Sequence, residues 1–160
     1  MFIGEELTAA LERLGVTHVV WLPDSALGVW EAALEAAPGL TLVRVCRESE
    51  AWAIAAGLQL GGKSPLVMIQ NTGLFDSGDA LRNVLFDLGI PLYAIIGYRS
   101  YLVENSPDTA KKFTEPVLKA WNIDYVLIDR PGRITEFCNH FLACQTESRA
   151  GVTLIAEGSM

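Results

Sequence analysis

The segment LTLVRVCRESEAWAIAAGLQLGGKSPLVMI, residues 40–69, contains a complete strand–helix–strand unit. Residues 40–45 form a short run rich in Val and Leu, which is typical of a buried strand. Residues 48–60 are rich in alanine and predict a helix, and residues 61–65 predict a turn. Residues 66–69 are a second apolar strand. Two strands joined through a helix are expected to pair in parallel.

The same alternation continues on both sides of this unit. Further apolar strands are predicted at residues 18–22, 92–96, 125–128 and 152–155. Further helices are predicted at residues 5–14, after Asp24, at 76–88, at 110–121 with an interruption near Pro116, and at 134–144. Apolar strands separated by helices predict a mostly parallel sheet with both faces covered, which is a three-layer α/β/α fold. The length predicts a single domain, residues 1–160.

The composition excludes several classes of function. The chain is 51% hydrophobic and 19% charged, with a formal net charge of −7. It is too apolar for a disordered chain, and it has no basic stripe that would bind nucleic acid. The longest apolar runs, residues 16–22 and 91–97, are shorter than the ~20 residues that a membrane helix needs. We therefore expect neither a nucleic-acid nor a membrane partner.

The cysteines indicate a reducing compartment. Cys46, Cys138 and Cys144 lack the spacing of a disulfide framework, and the first residues lack the basic segment of a signal peptide. Both features predict a cytoplasmic protein with reduced thiols. Cys138-x-His140-x-x-x-Cys144 is weakly similar to a metal site, but it lies in an amphipathic helical pattern. We predict buried or half-buried side chains there and no metal site on this chain.

Candidate functional residues follow the strands, because ligands of open parallel sheets bind beyond the carboxyl ends of the strands. The segments selected in this way are residues 23–25, 46–48, 70–73 and 97–100. Glu48 opens a helix, where the helix dipole stabilises a carboxylate, and Glu50 could fill that role equally well. A functional role for Glu48 is favoured by the small helix surface up to Gly57, which lets a ligand or another backbone approach closely.

These residues carry a resemblance. Residues 47–57, RESEAWAIAAG, resemble the pyrimidine-binding, flavodoxin-like domain of thiamine-diphosphate-dependent enzymes, where a glutamate starts this helix nine positions before a glycine. Glu48 and Gly57 match that spacing, and Glu50 does not. Residues 57–65 and 68–74 extend the match to the α subunits of the sulfopyruvate and phosphonopyruvate decarboxylase family. The resemblance covers roughly residues 5–129.

The resemblance implies a decarboxylase subunit that acts on a small anionic 2-keto acid, with 3-sulfopyruvate, giving sulfoacetaldehyde and CO2, ahead of phosphonopyruvate. Glu48 is implied to be catalytic: it would hydrogen-bond N1′ of the cofactor aminopyrimidine and promote the tautomer that takes the thiazolium proton. Apart from Glu48, the cofactor-binding residues that we expect are Gln70, Asn71, Thr72 and Gly73. Coenzyme M synthesis, sulfonate breakdown and phosphonate metabolism are all compatible pathways.

Substrate contacts are expected from Asp24, Ser25, Tyr98 and Arg99. The family carries Ser-His-Arg-Gly at this point, so Arg99 matches and Tyr98 replaces the histidine. Arg99 could bind a sulfonate or phosphonate through two hydrogen bonds, although a surface arginine is the commoner role. Asp24 either contacts the substrate or, more simply, caps the following helix.

The chain lacks the family's diphosphate motif, Gly-Asp-Gly followed by Asn-Asn; residues 78–80 and 104–105 have a similar separation but the wrong residues. The resemblance therefore implies that a separate β subunit holds the diphosphate and its Mg²⁺. Thiamine diphosphate would lie between the two chains of an α2β2 heterotetramer. Ala51, Ala55 and Ala56 are expected to pack across a subunit interface.

Two other interpretations stay open. The departures from the family at Phe75, Asp76 and Tyr98 are compatible with a catalytically degenerate domain that only binds a partner. An unrelated flavodoxin-like binding domain would use Glu48 only to stabilise the start of a helix. Retention of Glu48 favours catalysis, because a degenerate domain has no need of it.

Overall fold

A computed structural model describes residues 2–158 of the chain. Six strands form one sheet in the order β2-β1-β3-β4-β6-β5, and all neighbouring strands are parallel. The strands are β1 His18–Trp21, β2 Thr41–Arg44, β3 Pro65–Gln70, β4 Tyr93–Tyr98, β5 Asp124–Ile128 and β6 Gly151–Ala156. The predicted parallel sheet is confirmed. Of the predicted domain, Met1, Ser159 and Met160 lie outside the described residues.

Helices cover both faces of this sheet. One face packs against α1 Gly4–Arg13, α2 Glu31–Ala36 and α7 Ile134–Thr146. The other packs against α3 Glu48–Leu60, α4 Asn71–Asp76, α5 Gly78–Arg82 and α6 Thr109–Ala120. Successive residues of a strand alternate between the two cores, so each strand is apolar on both sides. None of the helices in the described part of the chain has the length and hydropathy needed to cross a lipid bilayer.

The chain after β3 differs from the prediction. The helix predicted to begin at residue 76 instead begins at Asn71, directly after the strand, as α4. The single helix predicted at residues 76–88 is divided into α4, α5 and a wider π-helical turn at Asn83–Asp87. The Ser77 hydroxyl donates to the Gly73 carbonyl at 2.5 Å. The Ser77 N–H donates to the same carbonyl at 2.9 Å, and a second bond from the side chain to that carbonyl bends a helix.

Helix α6 is continuous, whereas an interruption near Pro116 was predicted. Its amino end is capped by Asp108, whose carboxylate accepts from the Ala110 N–H at 2.9 Å. Thr114 and Leu118 are fully buried on either side of the proline. Tertiary packing of these two residues therefore holds the helix together despite the backbone donor that Pro116 lacks.

The small residues of α3 do not lie where the interface prediction placed them. Ala51, Ala55 and Ala56 are at most 5% exposed, because they pack against the chain's own sheet. The prediction that these alanines form a subunit interface is therefore wrong. The exposed positions of α3 are Glu50, Ala53, Ile54, Gly57 and Leu60.

Candidate functional site

The structure brings Glu48 and Gly73 into contact at the carboxyl edge of the sheet. A Cβ atom at position 73 would lie 2.2 Å from Cγ of Glu48 and 2.8 Å from its Cδ and Oε1. A side chain at this position would therefore displace the Glu48 carboxyl group. Glu48 and Gly73 were predicted to belong to one site, and the packing of α3 against α4 brings these two residues into contact.

Glu50, rather than Glu48, stabilises the start of α3. Its Oε2 accepts hydrogen bonds from the N–H groups of Cys46 and Arg47, each at 3.1 Å. Glu48 is half-buried, and within residues 2–158 no donor hydrogen-bonds to its carboxylate. The simple helix-start role is thus filled by Glu50, which leaves the Glu48 carboxylate available to a ligand.

The residues around Gly73 point in different directions. Gln70 and Thr72 are half-buried, and the Thr72 hydroxyl donates to Oε1 of Gln70 at 3.1 Å. Asn71 is fully buried, and its Nδ2 donates to the hydroxyl of Thr114 on α6 at 3.0 Å. The structure therefore pairs the side chains of Gln70 and Thr72 with each other and turns the Asn71 side chain into the protein.

Arg99 is already bound to a carboxylate of its own chain. Its Nε and Nη2 donate to the two oxygens of Asp108 at 2.8 and 3.1 Å. The Arg99 guanidinium, helped by the Ser100 hydroxyl, holds the pKa of Asp108 at about 2. This bidentate pair engages the donors that were predicted to bind a sulfonate or phosphonate.

Tyr98 is likewise used within the chain. It is 3% exposed, and its hydroxyl donates to the Lys111 carbonyl of α6 at 3.0 Å and to Oε1 of Glu115 at 3.4 Å. Burial raises the pKa of the phenol well above its ordinary value. In this conformation Tyr98 anchors α6 to the sheet.

Asp24 caps the segment after β1. Its Oδ1 accepts from the N–H groups of Ala26 and Leu27 at 2.8 and 3.0 Å. Its Oδ2 is buried and has no hydrogen-bond partner within the described residues. The neighbouring Ser25 is exposed. The capping interpretation is confirmed, and the second oxygen stays available.

Glu157 is a candidate that the sequence reasoning missed. It follows β6 at the same edge, is 5% exposed, and its Oε1 has no partner among residues 2–158. A Cβ atom at Gly97 would lie 2.1 Å from that oxygen. Burial, together with the negative charge of Asp24, raises the pKa of Glu157 to about 7, and the positive charge of Arg99 opposes this shift. The available signal was its position, a polar residue directly after an apolar strand.

A cleft of about 460 Å³ opens between α4 and α6. Thr72 and Phe75 line it from α4, Phe113 lines it from α6, and Arg99 lines it from the residue after β4. Phe75 is 39% exposed and Phe113 is 48% exposed. The cleft therefore combines polar groups with an apolar rim that solvent reaches in the single chain.

No protein-family model matches the chain. Sulfopyruvate decarboxylase subunit alpha of Methanothermobacter thermautotrophicus is 30% identical over 96 residues, which are 60% of this chain and 58% of that protein. Phosphonopyruvate decarboxylase of Streptomyces viridochromogenes is 30% identical over 148 residues, 91% of this chain and 37% of that protein. In sequence, this chain is similar to sulfopyruvate and phosphonopyruvate decarboxylases. The resemblance stated from the sequence is thereby confirmed.

A further decarboxylase subunit is similar in sequence, and a solved structure is similar in fold. Sulfopyruvate decarboxylase subunit alpha of Methanococcus maripaludis is 27% identical over 127 residues, 78% of this chain and 76% of that protein. Benzoylformate decarboxylase from Polynucleobacter necessarius has the same fold, with a TM-score of 0.71 and 24% identity over 98% of this chain and 30% of that one. The chain spans less than two thirds of the first two decarboxylases that it matches.

Proposed function

We propose that this chain is the α subunit of a thiamine-diphosphate-dependent 2-keto acid decarboxylase that converts 3-sulfopyruvate to sulfoacetaldehyde and CO2. The observation that carries the proposal is the Glu48 carboxylate, which lies against Gly73 and is not used to cap α3. The similarity to decarboxylase α subunits supports the same conclusion.

The residues beside Glu48 suit an aminopyrimidine ring. A carboxyl group without a partner can hydrogen-bond to a ring nitrogen, and Gly73 leaves backbone where a side chain would collide. Gln70 and Thr72, which precede Gly73 in the chain, are half-buried polar residues at the same strand end. When bound, thiamine diphosphate supplies the electron sink that allows a 2-keto acid to lose CO2. The role of Glu48 is to hold a proton at N1′ of the pyrimidine.

The proposal includes a β subunit that binds the diphosphate and Mg²⁺, because this chain lacks the diphosphate motif. The apolar rim of the cleft, Phe75 and Phe113, suits a surface that such a subunit covers. We propose one α domain per chain, two chains in an α2β2 complex, and a location in the cytoplasm, where free thiols such as exposed Cys46 persist.

Two specific observations favour other functions. Phosphonopyruvate decarboxylase matches 91% of this chain, which favours phosphonopyruvate as the alternative substrate. Tyr98 and Arg99 are bonded within the chain, which favours a degenerate domain that binds a partner without catalysis. An active Arg99 would have to share its guanidinium between Asp108 and the substrate.

The deciding experiment is reconstitution with a β subunit that carries Gly-Asp-Gly and Asn-Asn. We expect the complex to release aldehyde from 3-sulfopyruvate faster than from phosphonopyruvate or pyruvate, in a reaction that requires thiamine diphosphate and Mg²⁺. A complex that forms but is inactive on all three acids would support the degenerate domain. Tight, Mg²⁺-dependent binding of thiamine diphosphate by this chain alone, measured by calorimetry, would contradict the shared site.

A further inference from the structure

A second group of reactive side chains lies at the opposite edge of the sheet, where the strands begin. Asp124 is the first residue of β5, and His140 and Cys144 lie one turn apart on α7. One carboxylate oxygen of Asp124, one ring nitrogen of His140 and the sulfur of Cys144 all lie within 4.8 Å of one another. Residues from two distant parts of the chain therefore converge on one point.

The separations resemble those around a single metal ion. His140 Nε2 lies 3.1 Å from Oδ2 of Asp124 and 3.8 Å from Sγ of Cys144. Around tetrahedral zinc, neighbouring ligand atoms are about 3.3 to 3.6 Å apart, because Zn–N and Zn–O bonds are near 2.0 Å and Zn–S bonds near 2.3 Å. Small side-chain shifts would bring all three atoms onto one ion.

His140 also has the outer contact that orients metal-bound histidines. Its Nδ1 lies 2.6 Å from the Tyr93 hydroxyl, which lies 2.8 Å from the hydroxyl of Thr153. If Nδ1–H donates to Tyr93 and Tyr93 donates to Thr153, the lone pair of Nε2 faces Asp124 and can bind a cation. Without a metal, Nε2–H donates to Asp124 and the Tyr93 hydroxyl donates to Nδ1. Both hydrogen-bond patterns fit the same atom positions.

The surrounding charges permit a cation here. Arg149 forms ion pairs with Asp124 and with Glu147, each at 2.5 Å. If Asp124 bound a metal instead, Arg149 would keep its ion pair with Glu147. Burial lowers the pKa of His140, which favours the neutral ring that metals bind. Burial raises the pKa of the Cys144 thiol, which keeps it protonated without metal, and metal binding would release this proton to solvent.

The site is open on one side. A cleft of about 400 Å³ is lined by Tyr93, Cys144 and Arg149, among other residues. Three protein ligands beside a solvent-filled cleft leave room for a fourth ligand, such as water. Cys138, the third member of the motif seen in the sequence, is not part of the group, because Arg13 donates to its sulfur at 3.8 Å.

We propose that Asp124, His140 and Cys144 bind one divalent cation of the zinc class, with the fourth position open to the cleft. A set of one oxygen, one nitrogen and one sulfur ligand suits Zn²⁺ better than Mg²⁺ or Ca²⁺, which prefer oxygen. The ion would tie the start of β5 to the end of α7. This site lies at the amino ends of the strands, so it is independent of the decarboxylase proposal.

The test is a titration of the full chain with Co²⁺ and Zn²⁺. We expect one equivalent of Co²⁺ to bind with a thiolate charge-transfer absorption, and Zn²⁺ to displace it and raise Tm. Cys144→Ser and His140→Gln should abolish the absorption, and Asp124→Asn should weaken binding at least tenfold. The matched controls Cys46→Ser and Cys138→Ser should keep it, since neither sulfur belongs to the group.

A measurement on the unmutated protein guards against variants that fail to fold. Zinc X-ray absorption should show one sulfur at about 2.3 Å together with nitrogen or oxygen neighbours. Absence of a sulfur neighbour, absence of the cobalt–thiolate absorption, or retention of that absorption in a folded Cys144→Ser protein would each overturn the proposal.

Discussion

The two sides of the candidate site use their polar groups in opposite ways. At the start of α3, Glu50 satisfies the backbone and Glu48 has no partner within the described residues. After β4, Tyr98 and Arg99 are both bonded to residues on or next to α6. A polar residue at a strand end is therefore available to a ligand only where a neighbouring residue already makes the hydrogen bonds that the fold needs at that position.

The largest expected effect is a loss of kcat when Glu48, but not Glu50, is substituted. In the reconstituted complex, Glu48→Gln should lower kcat by about 10² to 10⁴, the range for loss of a group that transfers a proton. Glu50→Gln should keep most of the activity and lower the free energy of unfolding by about 1 kcal/mol, because it weakens the helix cap. Steady-state rates and urea unfolding of both variants check this. Equal loss of activity in the two variants would contradict the assignment of catalysis to Glu48 and of helix capping to Glu50.

The next effect tests the contact between α3 and α4. Gly73→Ala places a Cβ atom 2.2 Å from Glu48 Cγ, so we expect the carboxyl group to move and kcat to fall at least tenfold. Gly78→Ala is the matched control, because no atom lies within 4 Å of its added Cβ and alanine favours helix. Rates of both variants in the complex provide the measurement. A fully active Gly73→Ala enzyme would show that the position of Glu48 against Gly73 is not needed.

The smallest effect concerns Glu157, a second carboxyl group without a partner at this edge. Its pKa is raised to about 7 from the ordinary value of 4.5. At a pH between these two values, Glu157 keeps its proton in the native state and has lost it in the unfolded chain. The free energy of unfolding should therefore fall as the pH rises from about 4.5 to 7, by an amount on the order of 2 kcal/mol. Glu157→Gln should remove this fall, and urea unfolding at several pH values measures it.

The control for this pH effect is Glu104→Gln, which removes a charge at an exposed position. It should retain the wild-type dependence on pH. If Glu157→Gln also retained it, the carboxyl group of Glu157 would not be the buried acid that the structure indicates.

Much of the fold could be predicted because its signals are local. Alternation of apolar strands with helices predicted the three-layer sheet, and the resemblance carried by residues 47–74 indicated the family. The inward position of the Asn71 side chain could not be predicted in this way, because its amide binds Thr114, 43 positions away. Glu157 was missed for a similar reason, since its burial depends on neighbours after other strands.

The order of residues along the chain was enough to establish which segments are strands, that they pair in parallel, and which strand ends carry polar side chains. Only the folded arrangement shows that Glu48 is unbonded while Arg99 is paired, and that Asp124 meets His140 and Cys144. The physical reason is that hydrogen bonds and ion pairs act over about 3 to 4 Å. Distances of that size between residues far apart in sequence are set by packing across the whole sheet.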